Sequence, residues 1–226
     1  MLFCHITTRI EGRKHDNLLS QVGGTGFPHV VAMEASGEVV GVLDWQKRSV
    51  DGFKGLMASG KEFVDLRAKA EKGDAAAKTD YFLRALKLGR FKLSAAKSYQ
   101  ATLKKVTPDQ KKEIDGLFAG LEFKEVVEPL NKIERGTDPA KVKELQRDAG
   151  KKCWEMHQGG RIPAEDNDFG GFYSLILIFA EVEKDIPTFE LALKAIQDHF
   201  GDKVNARFLK AKQEILKKLQ DEKESK

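Results

Sequence analysis

Cysteine is scarce in this chain: among its 226 residues only Cys4 and Cys153 carry a thiol. Two cysteines in distant segments cannot build a disulfide framework, and they fit a reducing compartment. Neither belongs to a Cys-x-x-Cys pair, the motif of dithiol exchange. The sequence as it stands therefore predicts no dithiol chemistry and no catalytic residue.

Long apolar runs are also missing. The longest, Leu175 to Ala180, is far shorter than the ~20 apolar residues that a membrane-spanning helix needs. Met1 to Cys4 has neither the basic nor the apolar region of a signal peptide. We therefore expect a soluble, cytoplasmic chain with no membrane span, or a periplasmic one if the natural start lies upstream of Met1.

The chain is neither strongly basic nor strongly acidic, since its net charge is only +4. Lysines alternate with Glu and Asp along the helices, and the one local excess, Lys104 to Lys112, is partly offset by Asp109 and Glu113. Nucleic-acid binding would need a one-sided basic stripe with aromatic platforms. We therefore expect a solvated helical surface and no nucleic-acid partner.

Strand-forming residues are concentrated near the start of the chain. Val30 to Glu34 and Glu38 to Leu43 are rich in β-branched residues and are separated by Ala35-Ser36-Gly37, which predicts an antiparallel hairpin. Leu2 to Thr8 predicts a further short strand, and Leu18 to Val22 a short helix.

A helix is expected directly after the hairpin. Ser49 can cap it, and Gly60 is expected to stop it at about Ser59. Val50, Phe53, Leu56 and Met57 recur at helical spacing, and the first three are expected to face the hairpin.

Gly26-Phe27-Pro28 leads into the hairpin, and the order of strand, helix, proline, hairpin and helix over residues 1–60 resembles the second half of a thioredoxin fold. In that family the proline is cis and faces the redox-active Cys-x-x-Cys. The resemblance implies a cis Phe27–Pro28 bond and a partner-facing site formed by Phe27, Pro28 and His29, with Cys4 as a possible thiol. The family's first strand, first helix, central strand and Cys-x-x-Cys helix have no counterpart in this sequence.

The missing central strand leaves two strand edges in need of a neighbour, because unpaired edges are templates for further pairing. Residues 2–8 can pair directly with residues 30–34, or the edges can join two copies in a homodimer. A third alternative is that the natural protein supplies the missing half upstream of Met1.

From about Lys61 onwards, helix-forming Ala, Leu, Lys and Glu replace the strand signals. Helices are expected to start near Pro108, Pro139 and Pro187, each next to a capping residue or at the first helical position. The paired amphipathic patterns resemble tetratricopeptide-like hairpins, without that family's full signature or a fixed period. We therefore predict an α+β protein with a partial thioredoxin-like unit over residues 1–60 and a larger all-α hairpin bundle or short solenoid over residues 61–226.

Four groups of residues contain side chains suited to metal, thiol or phosphate chemistry, but an ordinary structural role is favoured for each. Cys4 and His5 point to opposite faces of a strand. Cys153 and His157 share a helix face, but two ligands do not make a metal site. Glu165, Asp166 and Asp168 are typical helix-start residues. Gly23 to Gly26 precedes a strand, which is the wrong geometry for a phosphate loop. We expect no metal and no cofactor.

Two functional hypotheses follow. The first is a non-catalytic thioredoxin-like protein that acts as an interaction or adaptor module for a protein partner or client. The second is a thiol-disulfide oxidoreductase of thioredoxin type whose catalytic half lies upstream of Met1, in which case it resembles exported bacterial redox proteins. An in-frame Cys-x-x-Cys upstream would favour the second.

Overall fold

The computed structural model describes residues 18–24, 26, 28–134 and 136–224. Helices account for most of these residues, and a small antiparallel sheet of two strands accompanies them. The chain divides into two compact units between Thr107 and Pro108. The boundary expected at Gly60 instead falls inside a continuous helix. Among the described residues, no helix combines the length and the apolar content that crossing a bilayer requires.

The N-terminal unit contains the hairpin and four helices among its described residues. A one-turn helix comes first, then the two strands, a short 3-10 helix and three longer helices. Their bounds are α1 Leu18–Gln21, β1 Val31–Met33, β2 Val39–Val42, the 3-10 helix Trp45–Lys47, α2 Val50–Glu71, α3 Ala75–Lys87 and α4 Leu93–Gln100.

The expected hairpin is confirmed. Val31 pairs with Val42 and Ala32 with Gly41, and an irregularity then shifts Met33 onto Val39. Gly37 makes the turn possible because its φ of 87° belongs to the left-handed region that glycine adopts without strain. Its N–H donates to the carbonyl of Glu34 at 3.0 Å. The predicted third strand, residues 2–8, lies outside the described residues.

The hairpin packs directly on α2 through glycines. A Cβ on Gly60 would lie 3.1 Å from Val40 Cγ2, and a Cβ on Gly41 would lie 2.8 Å from Leu56 Cδ1. Gly60 was expected to end the helix, which is wrong, because α2 continues to Glu71. The glycine instead lets the sheet come close to the helix.

The core of the N-terminal unit lies between this sheet and the helices. Phe63 is fully buried, and it forms one cluster with Ala32, Val40, Leu43, Leu56 and Ala85. Of the three α2 residues expected to face the hairpin, only Leu56 is buried; Val50 and Phe53 are exposed. The helix presents the face of Leu56, Gly60 and Phe63 to the sheet, so the other two lie on its outer flank.

Ion pairs fix the turn of the hairpin to the helices. Arg67 of α2 binds Glu34 with two hydrogen bonds, from Nη2 to Oε1 at 2.6 Å and from Nη1 to Oε2 at 2.8 Å. Arg90, which follows α3, contacts Glu38 through Nη2 and Oε2 at 2.5 Å, and its guanidinium lies 5.2 Å from the ring centroid of Phe63. A two-pronged Arg–carboxylate pair such as Arg67–Glu34 sets orientation as well as adding stability.

The C-terminal unit is helical throughout its described part. Its helices are α5 Pro108–Asn131, α6 Pro139–Gln158, α7 Asp166–Glu183, α8 Ile186–Phe200 and α9 Ala206–Glu224, with a 3-10 turn at Gly201–Lys203. The helix starts expected at Pro108 and Pro139 are confirmed, and α8 begins one residue before Pro187.

Consecutive helices of this unit run antiparallel, as their cross-helix contacts show. Arg147 in the middle of α6 pairs with Glu183 at the end of α7, while His157 at the end of α6 contacts Tyr173. Asp166 at the start of α7 contacts His199 near the end of α8. Gly150 allows α6 and α7 to approach closely, since a Cβ there would lie 2.2 Å from the carbonyl oxygen of Leu175. The core side chains that are fully buried include Phe172, Ile176, Leu177 and Phe189.

The Arg67–Glu34 pair generates a pH-dependent prediction. The hydrogen bonds that Arg67 donates to the Glu34 carboxylate hold the pKa of Glu34 below its ordinary value of 4.5. The unfolded chain therefore takes up this proton more readily than the folded chain. The pair's contribution to stability is present above the unfolded pKa and is lost as pH falls through the lower folded pKa.

Replacing Glu34 by Gln should lower the free energy of unfolding by at most about 1 kcal/mol at neutral pH, because the pair is partly exposed. Urea unfolding at neutral pH and at about pH 3 measures this, and the difference from the unmodified protein should shrink at acid pH. Glu62→Gln is the control, because Glu62 pairs with Arg84 from a side chain that is 70% exposed. A difference for Glu34→Gln that stays constant with pH would contradict the account.

Candidate interaction surface

The proline segment that the sequence singled out lies at the entrance to β1. Pro28 is exposed and His29 is half-buried. Arg48 Nη2 donates to the Pro28 carbonyl at 2.6 Å, and the His29 ring contacts the Val22 carbonyl through Nε2 at 3.2 Å. Phe27, Cys4 and the expected cis bond lie outside the described residues. The described part of the predicted site is thus tied to α1 on one side and to the segment before α2 on the other.

A stripe of exposed apolar side chains lies on the outer flank of α2. Val50, Phe53 and Met57 are spaced i, i+3 and i+7, which places them on one side of the helix. Trp45, in the preceding 3-10 helix, is 69% exposed, and Met57 is 67% exposed. We call Trp45, Val50, Phe53 and Met57 the apolar stripe. Val50, Phe53 and Met57 are neighbours on the helix surface, and clustered exposed apolar side chains mark interaction sites more often than isolated ones do.

The outer face of the hairpin adds to the exposed apolar area of this unit. Ala32 and Val40 lie against Gly60 of α2, whereas Met33 and Val42 are not part of the buried cluster. Both are exposed, at 42% and 47%. Large apolar side chains on the face of a two-stranded sheet remain open to a further contact.

The 3-10 helix that carries Trp45 is seated on the first turn of α2. A Cβ on Gly52 would lie 1.7 Å from the carbonyl oxygen of Lys47, so only glycine allows this approach. Asp44 caps the 3-10 helix by accepting from the Gln46 N–H at 3.0 Å, and Ser49 caps α2 by accepting from the Gly52 N–H at 3.2 Å. These local contacts hold the 3-10 helix, which carries Trp45, on the first turn of α2.

Basic side chains accompany the stripe. Lys54 and Lys61 follow Val50 and Met57 at i+4 on α2, and both are exposed. No carboxylate among the described residues lies within ion-pair distance of either lysine. A partner with apolar residues flanked by acidic ones would complement this arrangement.

The thiol that the structure describes is not reactive. Cys153 is fully buried in the C-terminal unit, and burial raises the pKa of its thiol to about 12. Since the thiolate is the nucleophile and the metal ligand, this cysteine is inert at neutral pH. His157, four residues later, lies with Nδ1 3.0 Å from the Tyr173 hydroxyl and stacks on Trp154, and burial lowers its pKa.

Asp166 and Asp168, in the first turn of α7, both contact side chains of neighbouring helices. Asp166 Oδ1 lies 2.8 Å from His199 Nε2, and Asp168 lies 3.5 Å from the Lys124 ammonium. The two carboxylates therefore contact different side chains and do not point at a common ligand position. Within residues 18–24, 26, 28–134 and 136–224, no group of three or more His, Cys, Asp or Glu is placed to hold a metal ion.

Comparison with protein-family models, with curated proteins and with solved structures gives no match for this chain. The thioredoxin-like and tetratricopeptide-like resemblances therefore remain predictions from the sequence. The apolar stripe is defined by its geometry alone.

The sequence reasoning missed this stripe because it assigned Val50 and Phe53 to the buried side of the helix. A second spacing, Leu56, Gly60 and Phe63 at i, i+4 and i+7, also describes a helix face, and that face is the buried one. When Gly60 is included in the helix, Leu56, Gly60 and Phe63 form one face, and Val50, Phe53 and Met57 form a second apolar face that the sheet does not cover.

Two glycines of α2 provide a matched test of how Trp45 is positioned. Gly52→Ala places a methyl group against the Lys47 backbone, so the 3-10 helix must move, at a cost of about 1–3 kcal/mol. Gly55→Ala meets nothing within 4 Å and should stabilise the helix by about 0.5–1 kcal/mol. Thermal unfolding of both variants measures the difference. Equal stabilisation of the two would mean that the 3-10 helix is not seated on α2.

Proposed function

We propose that this protein is a non-catalytic, thioredoxin-like interaction module that works as an adaptor, and that the apolar stripe receives its protein partner. The observation that carries the proposal is the exposure of Trp45, Val50, Phe53 and Met57 beside a hairpin that is fixed to the same helix. Patches of exposed apolar side chains mark interaction sites, and tryptophan is enriched among the residues that contribute most to binding free energy.

The partner that fits is an amphipathic segment with apolar residues on one side and acidic residues at its margin. The stripe offers three apolar positions along two turns of α2, which matches the spacing of anchors in helix-based recognition. Lys54 and Lys61 bring positive charge to this margin, where Asp51 and Asp65 of the same helix also stand, and the two lysines complement acidic residues on the partner.

The chemistry of the described residues supports an adaptor over an enzyme. Cys153, the one thiol in this part of the chain, is fully buried with a raised pKa. The first-turn acids of α7, Asp166 and Asp168, and the histidines His157 and His199 contact neighbouring side chains. Pro28 and His29 contribute an exposed entrance to the hairpin, which in the thioredoxin-like interpretation faces a client.

Site-specific photo-crosslinking tests the proposal. A photoreactive residue replaces Met57 in the full chain, expressed in cells that naturally contain it, and adducts are identified by mass spectrometry. The same residue at Lys141, an exposed lysine of α6, is the control position. We expect an adduct with another protein from position 57 that maps to an amphipathic, acid-flanked segment and is absent from position 141.

The adduct should fall by about tenfold when Trp45 and Val50 are both replaced by Ser, because central apolar contacts carry most of an interface's free energy. These exposed side chains can be replaced without loss of the fold, which circular dichroism checks. An adduct with a second copy, a crosslink within the chain, or no adduct at position 57 would contradict the proposal.

A further inference from the structure

The distribution of charge in the N-terminal unit is more one-sided than the alternation expected along every helix. Between Tyr81 and Pro108 the sequence has no Asp or Glu, while seven positions are basic: Arg84, Lys87, Arg90, Lys92, Lys97, Lys104 and Lys105. The excess expected only over Lys104 to Lys112 therefore extends back through α3 and α4. A run of this length without a single acid is unusual for a solvated surface of mixed sign.

The fold brings part of this run to one end of the α2–α3 hairpin. Thr79 is buried and donates its hydroxyl to the Lys105 carbonyl at 2.7 Å, and Lys78 Nζ donates to the Thr102 carbonyl at 3.4 Å. The segment that holds Lys104 and Lys105 is thereby anchored beside the start of α3.

Two further lysines stand at the same end. Asp74 caps α3, and its backbone N–H donates to the Lys69 carbonyl at 3.1 Å. Backbone N–H groups of α3, led by that of Ala77, lower the pKa of Asp74, and Lys69 and Lys105 add to the effect. Lys72 lies in the turn between the helices. We call Lys69, Lys72, Lys78, Lys104 and Lys105 the lysine surface.

These lysines are not neutralised within the described residues. Lys69, Lys72, Lys104 and Lys105 are exposed, and none of them lies within ion-pair distance of a described carboxylate. Glu71 and Asp74 lie in the same segment, and the Asp74 carboxylate already accepts from the N–H groups of Ala76 and Ala77. Within residues 69–78 and 104–105, five lysines thus stand against two carboxylates.

We propose that the lysine surface binds an acidic, partly apolar segment of a protein partner. Val106 is 39% exposed directly after Lys105 and offers an apolar contact between charged ones. The surface is separate from the apolar stripe, so this inference stands or falls independently of the proposed function.

A protein segment fits better than a nucleic acid because the described aromatic rings of α3 and α4 that lie near these lysines pack against one another. Tyr99 stacks on Phe82 with ring centroids 4.9 Å apart, and the Lys78 ammonium lies 5.5 Å from its centroid. Phe91 packs against the same two rings. Single-stranded nucleic acids depend on stacking to exposed rings, and exposed lysine provides charge without bidentate recognition.

Fluorescence anisotropy with a labelled peptide of repeated Glu-Leu-Asp tests the inference on the full chain. The variant Lys72→Gln, Lys104→Gln, Lys105→Gln removes three exposed charges of the surface. The control Lys141→Gln, Lys143→Gln, Lys151→Gln removes three exposed charges of α6, so the net charge is the same in both proteins.

We expect the first variant to bind the peptide about tenfold more weakly than the unmodified protein, while the control binds within about twofold, since each exposed pair contributes a fraction of a kcal/mol to about 1 kcal/mol. Binding should also weaken as salt rises, because the screening length shortens. Equal loss in both variants, binding that salt does not change, or tighter binding of single-stranded RNA or of anionic vesicles at the same salt would overturn the inference.

Discussion

The close approach of the hairpin to α2 is the contact on which the rest of the N-terminal unit depends. Gly60 and Gly41 remove the side chains that would hold the sheet off the helix, and Val40 and Leu56 fill the space. This seating buries Phe63 and brings the hairpin turn within reach of Arg67 and Arg90. A two-stranded hairpin is marginal in water, so its stability here comes from the helix beneath it.

The same contact decides which side of α2 is left outside. With Leu56, Gly60 and Phe63 turned to the sheet, Val50, Phe53 and Met57 must lie on the outer flank. Gly52 then lets the 3-10 helix, which carries exposed Trp45, pack on the first turn of α2. An exposed apolar stripe is therefore a consequence of how the core is built, and the proposed role in partner binding gives that exposed area a use.

Local signals in the sequence were enough to predict the hairpin and the helix starts. Ala35-Ser36-Gly37 marks the turn, and proline beside a capping residue marks the starts of α5 and α6, because these features act within a few residues. The prediction that Gly60 ends the helix was wrong because glycine can either end a helix or allow close packing within one. Only the tertiary contact with Val40 distinguishes the two roles. Of the candidate site, Pro28 and His29 could be named from sequence, whereas the stripe depends on which of two helix faces the sheet covers.

Hydrogen exchange resolved to single amides tests most directly whether the hairpin and α2 form one cooperative unit. The Leu43 and Glu34 N–H groups donate to Val30 and Glu38, and their opening should cost the same free energy as that of the α2 amides around Phe63. Gly60→Val, which inserts a side chain against Val40, should reduce protection in both segments together. Rapid exchange in the hairpin while α2 stays protected, with no change in either on Gly60→Val, would contradict the account.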